Sequence, residues 1–294
     1  MMQFIRNKMN AIYSDFSIEI AKRDTLCDLK GVTFEGQNIP NYANPTHQQF
    51  YLLKYFPAYL VEYYKIYSQI IEQKFLEIPW NVLSIGFGCG IDYYGLYFAI
   101  KGKRLNFNNS VIYSGVDIID WNYKDTLGNK HTRFLVQDIS DWHHLDSKYN
   151  VIIFPKSIGE FSHTTFGRLE KILKESSFDN KKICLINSLR EQRINFDIER
   201  FRRLSKILTE VHGYSAMDDV GQVQDFGSKG IRSICYDFVY PDGIKDFVTA
   251  LLHQCQGYAK NQETPHRKDC RCLNRSPILK TDHIRYQVVK FQKN

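Results

Sequence analysis

What this 294-residue sequence lacks narrows its class before any motif is considered. No apolar run is long enough to cross a bilayer; the longest, such as Val151–Phe154, are strand-sized. The opening residues, MMQFIRNKMNAIYSDF, carry charges where a secretory signal needs an apolar stretch, so export is not expected. Internal repeats and low-complexity tracts are missing. The seven cysteines are scattered, several within expected buried strands, unlike the dense framework of a small secreted domain. The expected setting is therefore a reducing cytoplasm without membrane attachment.

What is present suits a folded chain. Hydrophobic residues make up 43% and aromatics 14%, enough for a sizeable core. The net charge of +7 is concentrated at one end. From His253 to Asn294, nine Lys or Arg stand against three acids, while the preceding residues are nearly balanced. Such a field suits a polyanion, and equally a solvated, solubilising face.

Along the chain, residues 1–45 carry mixed patterns broken by Gly31, Gly36 and Asn38–Pro45, which predicts a loosely structured arm. From His47 to Leu76, Leu52, Phe56, Leu60, Tyr63, Tyr67 and Ile70 recur at helical steps, with Pro57 expected to kink or split the helix. Residues 1–76 thus form an amino-terminal arm and aromatic helical cap. After Pro79, short apolar strands alternate with helices: Val82–Ile85, Val111–Val116, Arg133–Val136, Val151–Phe154 and Ile183–Ile186. A long helix follows, directing Phe196, Phe201, Leu204, Ile207, Leu208 and Val211 inward, with Arg200, Arg202, Arg203 and Lys206 at its outer or edge positions. Two late strands, Ser233–Tyr240 and His283–Phe291, flank a helix at Ile244–Leu252 and a Cys/His-bearing stretch. The pattern predicts an α/β fold over residues 77–294. Its doubly wound, mostly parallel seven-stranded sheet has helices on both faces and a basic insertion at about 253–279, before the last strand.

The most informative segment is VLSIGFGCGID, Val82–Asp92. Glycines at 86, 88 and 90 let the backbone turn sharply and approach a ligand, and the next helix offers its free N–H groups. The second strand runs into Asp117, where a doubly wound sheet binds ribose hydroxyls. The third runs into Gln137-Asp138-Ile139, where a carboxylate can accept from an adenine amino group. Three successive strands therefore end in what an adenosine ligand needs.

This set resembles the class I, Rossmann-like S-adenosylmethionine-dependent methyltransferases over roughly Asn81–Asn187. The resemblance implies that Gly86, Gly88 and Gly90 face the methionine part of the cofactor, Asp117 the ribose, and Asp138 with Ile139 the adenine. Pro155 joins them from the end of the fourth strand. Where the family usually carries an acid two residues before the first glycine, Ser84 stands here, with Asp92 able to compensate. A nicotinamide fingerprint needs a third glycine where Ile91 stands.

Methyl transfer proceeds largely through proximity and orientation. Any catalytic residue is expected in Pro155-Lys156-Ser157-Ile158-Gly159-Glu160, with Lys156 and Glu160 as candidates for positioning or deprotonating a nucleophile, or simply as helix decoration. FPKS is neither the Asp/Asn-Pro-Pro-aromatic motif of amino methyltransferases nor a cysteine loop for cytosine C5 chemistry. In the insertion, Cys255, His266, Cys270 and Cys272 suit a structural zinc, or are free side chains. Arg267, Lys268, Arg271 and Arg275 around them favour RNA or another nucleic acid as acceptor. A small-molecule methyltransferase and a catalytically silent cofactor-binding protein are the alternatives.

Overall fold

The computed structural model describes residues 1–23, 29, 32, 40–190, 193–226, 236–237, 244, 280–281 and 284–293. The chain divides into two compact units. The first comprises Met1–Tyr59, Trp121–Tyr123 and Cys235–Thr281; the second comprises Leu60–Asp120, Lys124–Ile234 and Asp282–Asn294.

In the first unit, the first half of the expected loose arm is instead a helix, α1 (Met2–Ala21). Ile5, Met9, Ile12, Phe16 and Ile20 recur at three- and four-residue steps and are all buried, so one apolar stripe holds the helix. Helix α2 (Pro45–Glu72) starts where Asn44 accepts from the Thr46 N–H at 2.9 Å, with Pro45 preset for the first turn. It runs through Pro57 as one helix rather than splitting there, and Phe50 on it stacks on Phe16 at 6.1 Å. The unit boundary falls within α2, at Tyr59.

The second unit is built on an eight-stranded sheet. Strands β1 (Trp80–Ile85), β2 (Val111–Asp117), β3 (Thr132–Val136), β4 (Val151–Pro155) and β5 (Lys182–Ser188) lie parallel in the order β3-β2-β1-β4-β5. Two short strands, β6 (Tyr214–Ala216) and β7 (Gln224–Phe226), follow at the far edge. A two-residue pair, β8 (Tyr236–Asp237) and β9 (Lys280–Thr281), forms a separate sheet in the first unit. The last strand, β10 (Ile284–Lys293), runs antiparallel to β5. Both β6 and β7 pair with β10, at its Phe291–Lys293 and Ile284–Tyr286 ends respectively. The expected seven strands are thus seven positions, the outermost divided in two. Of the expected late strand Ser233–Tyr240, the described residues Tyr236–Asp237 pair with β9, whereas the described partners of β10 are β5, β6 and β7. The chain reaches that edge earlier, through the left-handed turn at Gly213 (φ 70°).

The crossovers are α3 (Ile91–Gly102) with the short α4 (Phe107–Ser110), α5 (His163–Glu175) and α6 (Ile194–Glu210). Helices α5 and α6 cover one face with Phe166, Leu169, Ile172, Leu173, Phe201, Leu204 and Leu208. Phe196 and Val211, expected inside, are 37% and 51% exposed. Arg200, expected outside, is 3% exposed. Helix α3 is buried nearly all round, and a Cβ at Gly95 would lie 2.5 Å from the Tyr63 Cβ, so α2 and α3 pack backbone to backbone there. Among the described residues no helix is long and apolar enough to cross a membrane.

Candidate functional site

The strand order reverses between β1 and β4: from β1 the chain winds outward through β2 and β3, then returns to β4 and β5. Ligands in open α/β sheets sit outside the strand carboxyl ends at such a switch point. Gly86, Asp117, Asp138 and Pro155 all lie at that edge, each at or just past the end of its strand.

The glycine turn is shaped by what surrounds it. Gly86, Gly88 and Gly90 have φ of 75°, 59° and 81°, a region where a side chain costs roughly 1–2 kcal/mol. A Cβ on Gly86 would lie 2.4 Å from the Ser157 Cβ, and the Ser157 hydroxyl donates to the Ile85 carbonyl. Gly86 N–H donates to the Val116 carbonyl at 2.8 Å, tying the turn to β2. Gly90 precedes α3 without a side-chain cap.

Asp117 is half-buried and accepts from Gly88 N–H and Ile119 N–H, both at 2.9 Å. One carboxylate therefore fixes the turn and the loop leaving β2, and with about four acceptor sites it can also receive ligand hydroxyls. Asp138 accepts from Ser140 N–H at 2.8 Å and opens a short 3₁₀ turn whose first residue, Ile139, is buried. Gln137 N–H donates to the Asp117 carbonyl at 2.8 Å, joining the two acidic positions.

Ser84 is placed differently from its expected cofactor-binding role. It is fully buried, and its Oγ neighbours the Asp92 carboxyl without a well-formed hydrogen bond. Asp92 is 1% exposed and accepts from the Tyr113 hydroxyl at 2.8 Å, so it is no open substitute for the missing strand acid. Burial raises its pKa to about 6, against the hydrogen bond from Tyr113 and the nearby Ser84 hydroxyl, which lower it.

Asp92 therefore makes stability pH-dependent. From about 4 to about 6 the folded carboxyl keeps its proton while the unfolded one loses it, so stability falls as pH rises. The full loss, roughly 3 kcal/mol, is reached above that window. Urea unfolding of Asp92→Asn should show the variant gaining on the parent by up to this amount between about pH 4 and about pH 7. A difference that does not change with pH excludes the assignment.

The loop after β4 is held by charge. Lys156, at φ 60°, places its Nζ 2.9 Å from Glu62 Oε1 and donates to the Leu189 carbonyl at 3.0 Å. Glu62, on α2, also accepts from the Ser188 hydroxyl and is 4% exposed. Lys156 is thus one half of a largely buried ion pair. Glu160 pairs with Arg190 at 3.1 Å, and Arg190 also pairs with the fully buried Asp197 at 3.1 Å. Desolvation pushes Glu160 up to about 7, Arg190 opposes this, and the charges of Asp117 and Asp197 add to it. Its side chain is 36% exposed, which tempers the shift. Arg193 donates to the Gly159 carbonyl at 2.9 Å, and Arg200 to the Ile158 and Phe161 carbonyls at 2.7 Å.

Glu62, Arg190, Asp197 and Arg200 went unrecognised in the sequence as parts of this site. Asp197 and Arg200 did leave a trace, since they share the helical stripe of Phe201, Leu204 and Leu208.

Cys255, His266, Cys270 and Cys272 lie outside the described residues, as do Lys260, Arg267, Lys268, Arg271 and Arg275. Among the described residues, no group of three or more His, Cys, Asp or Glu is arranged to hold a metal.

No family model matches this sequence, and no curated protein does. Among solved structures, the chain is similar to the plantazolicin methyltransferase BpumL in complex with SAH. That similarity has 13% identity and a TM-score of 0.41, over 97% of this chain and 100% of that one. It is also similar to the YcgJ protein of Bacillus subtilis, with 13% identity and a TM-score of 0.38 over 78% and 99%. A SAM-dependent methyltransferase from Geobacter sulfurreducens, in complex with S-adenosyl-L-homocysteine, follows at 15% and 0.35, over 79% and 91%. At these scores the likeness by itself says nothing of activity. What the second unit carries is a doubly wound α/β sheet of Rossmann-like order, with a glycine turn and two acidic positions at its switch point.

Proposed function

We propose that the chain is a methyltransferase that binds S-adenosylmethionine at the carboxyl ends of β1, β2 and β3. The observation carrying this reading is the bond from Gly88 N–H to the Asp117 carboxylate, beside a glycine turn whose first position, Gly86, has no room for a Cβ. That arrangement suits a nucleoside: Asp117 would accept from ribose hydroxyls, Asp138 from the adenine amino group, and Ile139 would pack against the base. The methionine end is less well provided, because Ser84 and Asp92 are both buried. When bound, the cofactor supplies an electrophilic methyl group. The chain's own part is to orient the acceptor and exclude water, with Glu160 the acidic group at the crevice able to take a proton near neutrality.

Calorimetry with S-adenosylmethionine, S-adenosylhomocysteine and a nicotinamide dinucleotide tests the reading. Both adenosyl ligands should bind, and Asp117→Asn should weaken them about ten- to hundredfold. Binding of the dinucleotide alone overturns it.

A second reading, a cofactor-binding protein without turnover, is favoured by Lys156 and Glu160 being engaged in ion pairs. Tight binding with no methyl transfer to any acceptor would select it. RNA as acceptor rests on the basic carboxyl-terminal stretch, and an RNA affinity that does not fall with salt counts against it. A small-molecule acceptor predicts negligible RNA affinity. Metal analysis of the purified protein, with Cys270→Ser as control, decides the zinc. A cytoplasmic location follows the cysteine usage.

A further inference from the structure

In the cofactor reading, adenine lies at the end of β3 and ribose at the end of β2. The next position in the strand order β3-β2-β1-β4 is the glycine turn after β1. In S-adenosylmethionine, the atom that joins the ribose to the methionine chain is a positively charged sulfur. In the demethylated product that atom is a neutral thioether. The charges around the glycine turn therefore decide whether the site tells the two ligands apart.

Two carboxylates flank that turn from opposite sides. Asp117, at the end of β2, accepts from Gly88 N–H at 2.9 Å. From the β4 side, Ser157 packs against Gly86, and Glu160 N–H donates to the Ser157 carbonyl at 2.8 Å. Glu160 thus leaves the same tight loop that closes on the glycine, and its side chain is 36% exposed. Desolvation pushes its carboxyl up to about 7, Arg190 opposes this, and the charge of Asp117 adds to the rise. The two acids therefore feel each other across the turn.

The other charged groups nearby have partners of their own. Arg190 stands between Glu160 and the buried Asp197, to which it gives Nη2 at 3.1 Å and Nε at 3.4 Å. On α6, Arg193 donates to the Gly159 carbonyl, and Arg200 to the Ile158 and Phe161 carbonyls. Lys156, in the same loop, closes on Glu62. His163, at the start of α5, sets its ring edge-on to Phe196 at 6.3 Å.

We propose that Asp117 and Glu160 form an anionic pair that recognises the sulfonium charge, so that the site prefers S-adenosylmethionine to its neutral demethylated product. The proposal rests on the cofactor reading and gives Glu160 a role in specificity that is independent of the acceptor. A cation arriving beside Glu160 stabilises its carboxylate and expels the proton it partly holds near neutrality. A neutral sulfur has no such effect.

Calorimetry of the full chain at about pH 7, repeated in buffers of different ionisation enthalpy, counts the protons released on binding. S-adenosylmethionine should release about half a proton more than S-adenosylhomocysteine and bind about tenfold more tightly. Glu160→Gln should abolish both differences while leaving S-adenosylhomocysteine affinity within about twofold of the parent's. The same variant subtracts any contribution from the ligands' own amino group, and a thermal melt confirms that it is folded. Equal proton release by the two ligands in the parent overturns the proposal without recourse to any variant. So does a folded Glu160→Gln that keeps the parent's preference. In either case both ligands still bind and the cofactor reading stands. Binding of neither ligand overturns that reading, and this proposal with it.

Discussion

Gly86→Ala is expected to cost about 2–5 kcal/mol of stability and to abolish adenosyl-cofactor binding in whatever remains folded. Two penalties combine in that figure. The backbone at φ 75° is left-handed, which an alanine resists by roughly 1–2 kcal/mol. The new methyl would also lie 2.4 Å from the Ser157 Cβ, and 3.8 Å from its Cα, so no flexible side-chain end can swing away. Relief requires moving the Ser157 backbone, whose hydroxyl is bonded to the Ile85 carbonyl. The strain therefore passes to both the β1 and β4 ends of the crevice. Urea unfolding gives the stability change, and calorimetry with S-adenosylhomocysteine gives the binding loss. A variant as stable as the parent, or one that binds undiminished, contradicts the packing described for this turn. Ser157→Gly in the same background should restore part of the stability, because it removes the side-chain atoms that clash.

Lys156→Met is the second large effect, an expected loss of about 3–5 kcal/mol. The cost arises less from the missing attraction than from what is left behind. Glu62 is 4% exposed and would be left with the Ser188 hydroxyl to answer its charge. Replacing both members, as Glu62→Leu with Lys156→Met, leaves no stranded charge. The double variant should regain most of the stability lost by the single one. The same cycle separates a structural lysine from a catalytic one. If Lys156 only holds the β4 loop, the double variant keeps the parent's cofactor affinity and, if the chain turns over, its pH profile. If the lysine touches the reacting atoms, activity stays lost although stability returns.

These two positions also mark how far the sequence could be read. At Gly86 the residue type and its place after β1 pointed to a sharp backbone turn and a close approach to a ligand; the turn is there, at φ 75°, and the close approach seen is to Ser157. The direction of that approach was not legible: Ser157 lies 71 residues further along the sequence and meets the glycine only because β4 pairs with β1. At Lys156 the local context, a charged side chain just past a buried strand in a crevice loop, invited a chemical role. Its partner Glu62 sits on a helix whose face toward β4 no local pattern reveals. Arg200 makes the same point. An arginine among RFRRL looks like a solvent-facing charge, yet its guanidinium binds the Ile158 and Phe161 carbonyls because the β4 loop leaves those acceptors beneath α6. Helix α1 is a different failure. Its stripe of Ile5, Met9, Ile12, Phe16 and Ile20 was periodic and readable, and the breakers further along the arm concealed it.

The sequence alone therefore determined the α/β alternation, the five parallel strands to within a residue or two, the glycine turn and the acids that follow β2 and β3. These are consequences of local chemistry: period-two and helical patterning, a left-handed backbone, a carboxylate beside a strand end. Tertiary structure alone decided which charges are spent on holding the crevice and which face it. Ser84 and Asp92 turn inward, Lys156 closes on Glu62, and Glu160 rests on Arg190 near Asp117. The physical reason is that a buried charge must find its counter-charge, and the fold, not the local sequence, brings that partner within reach.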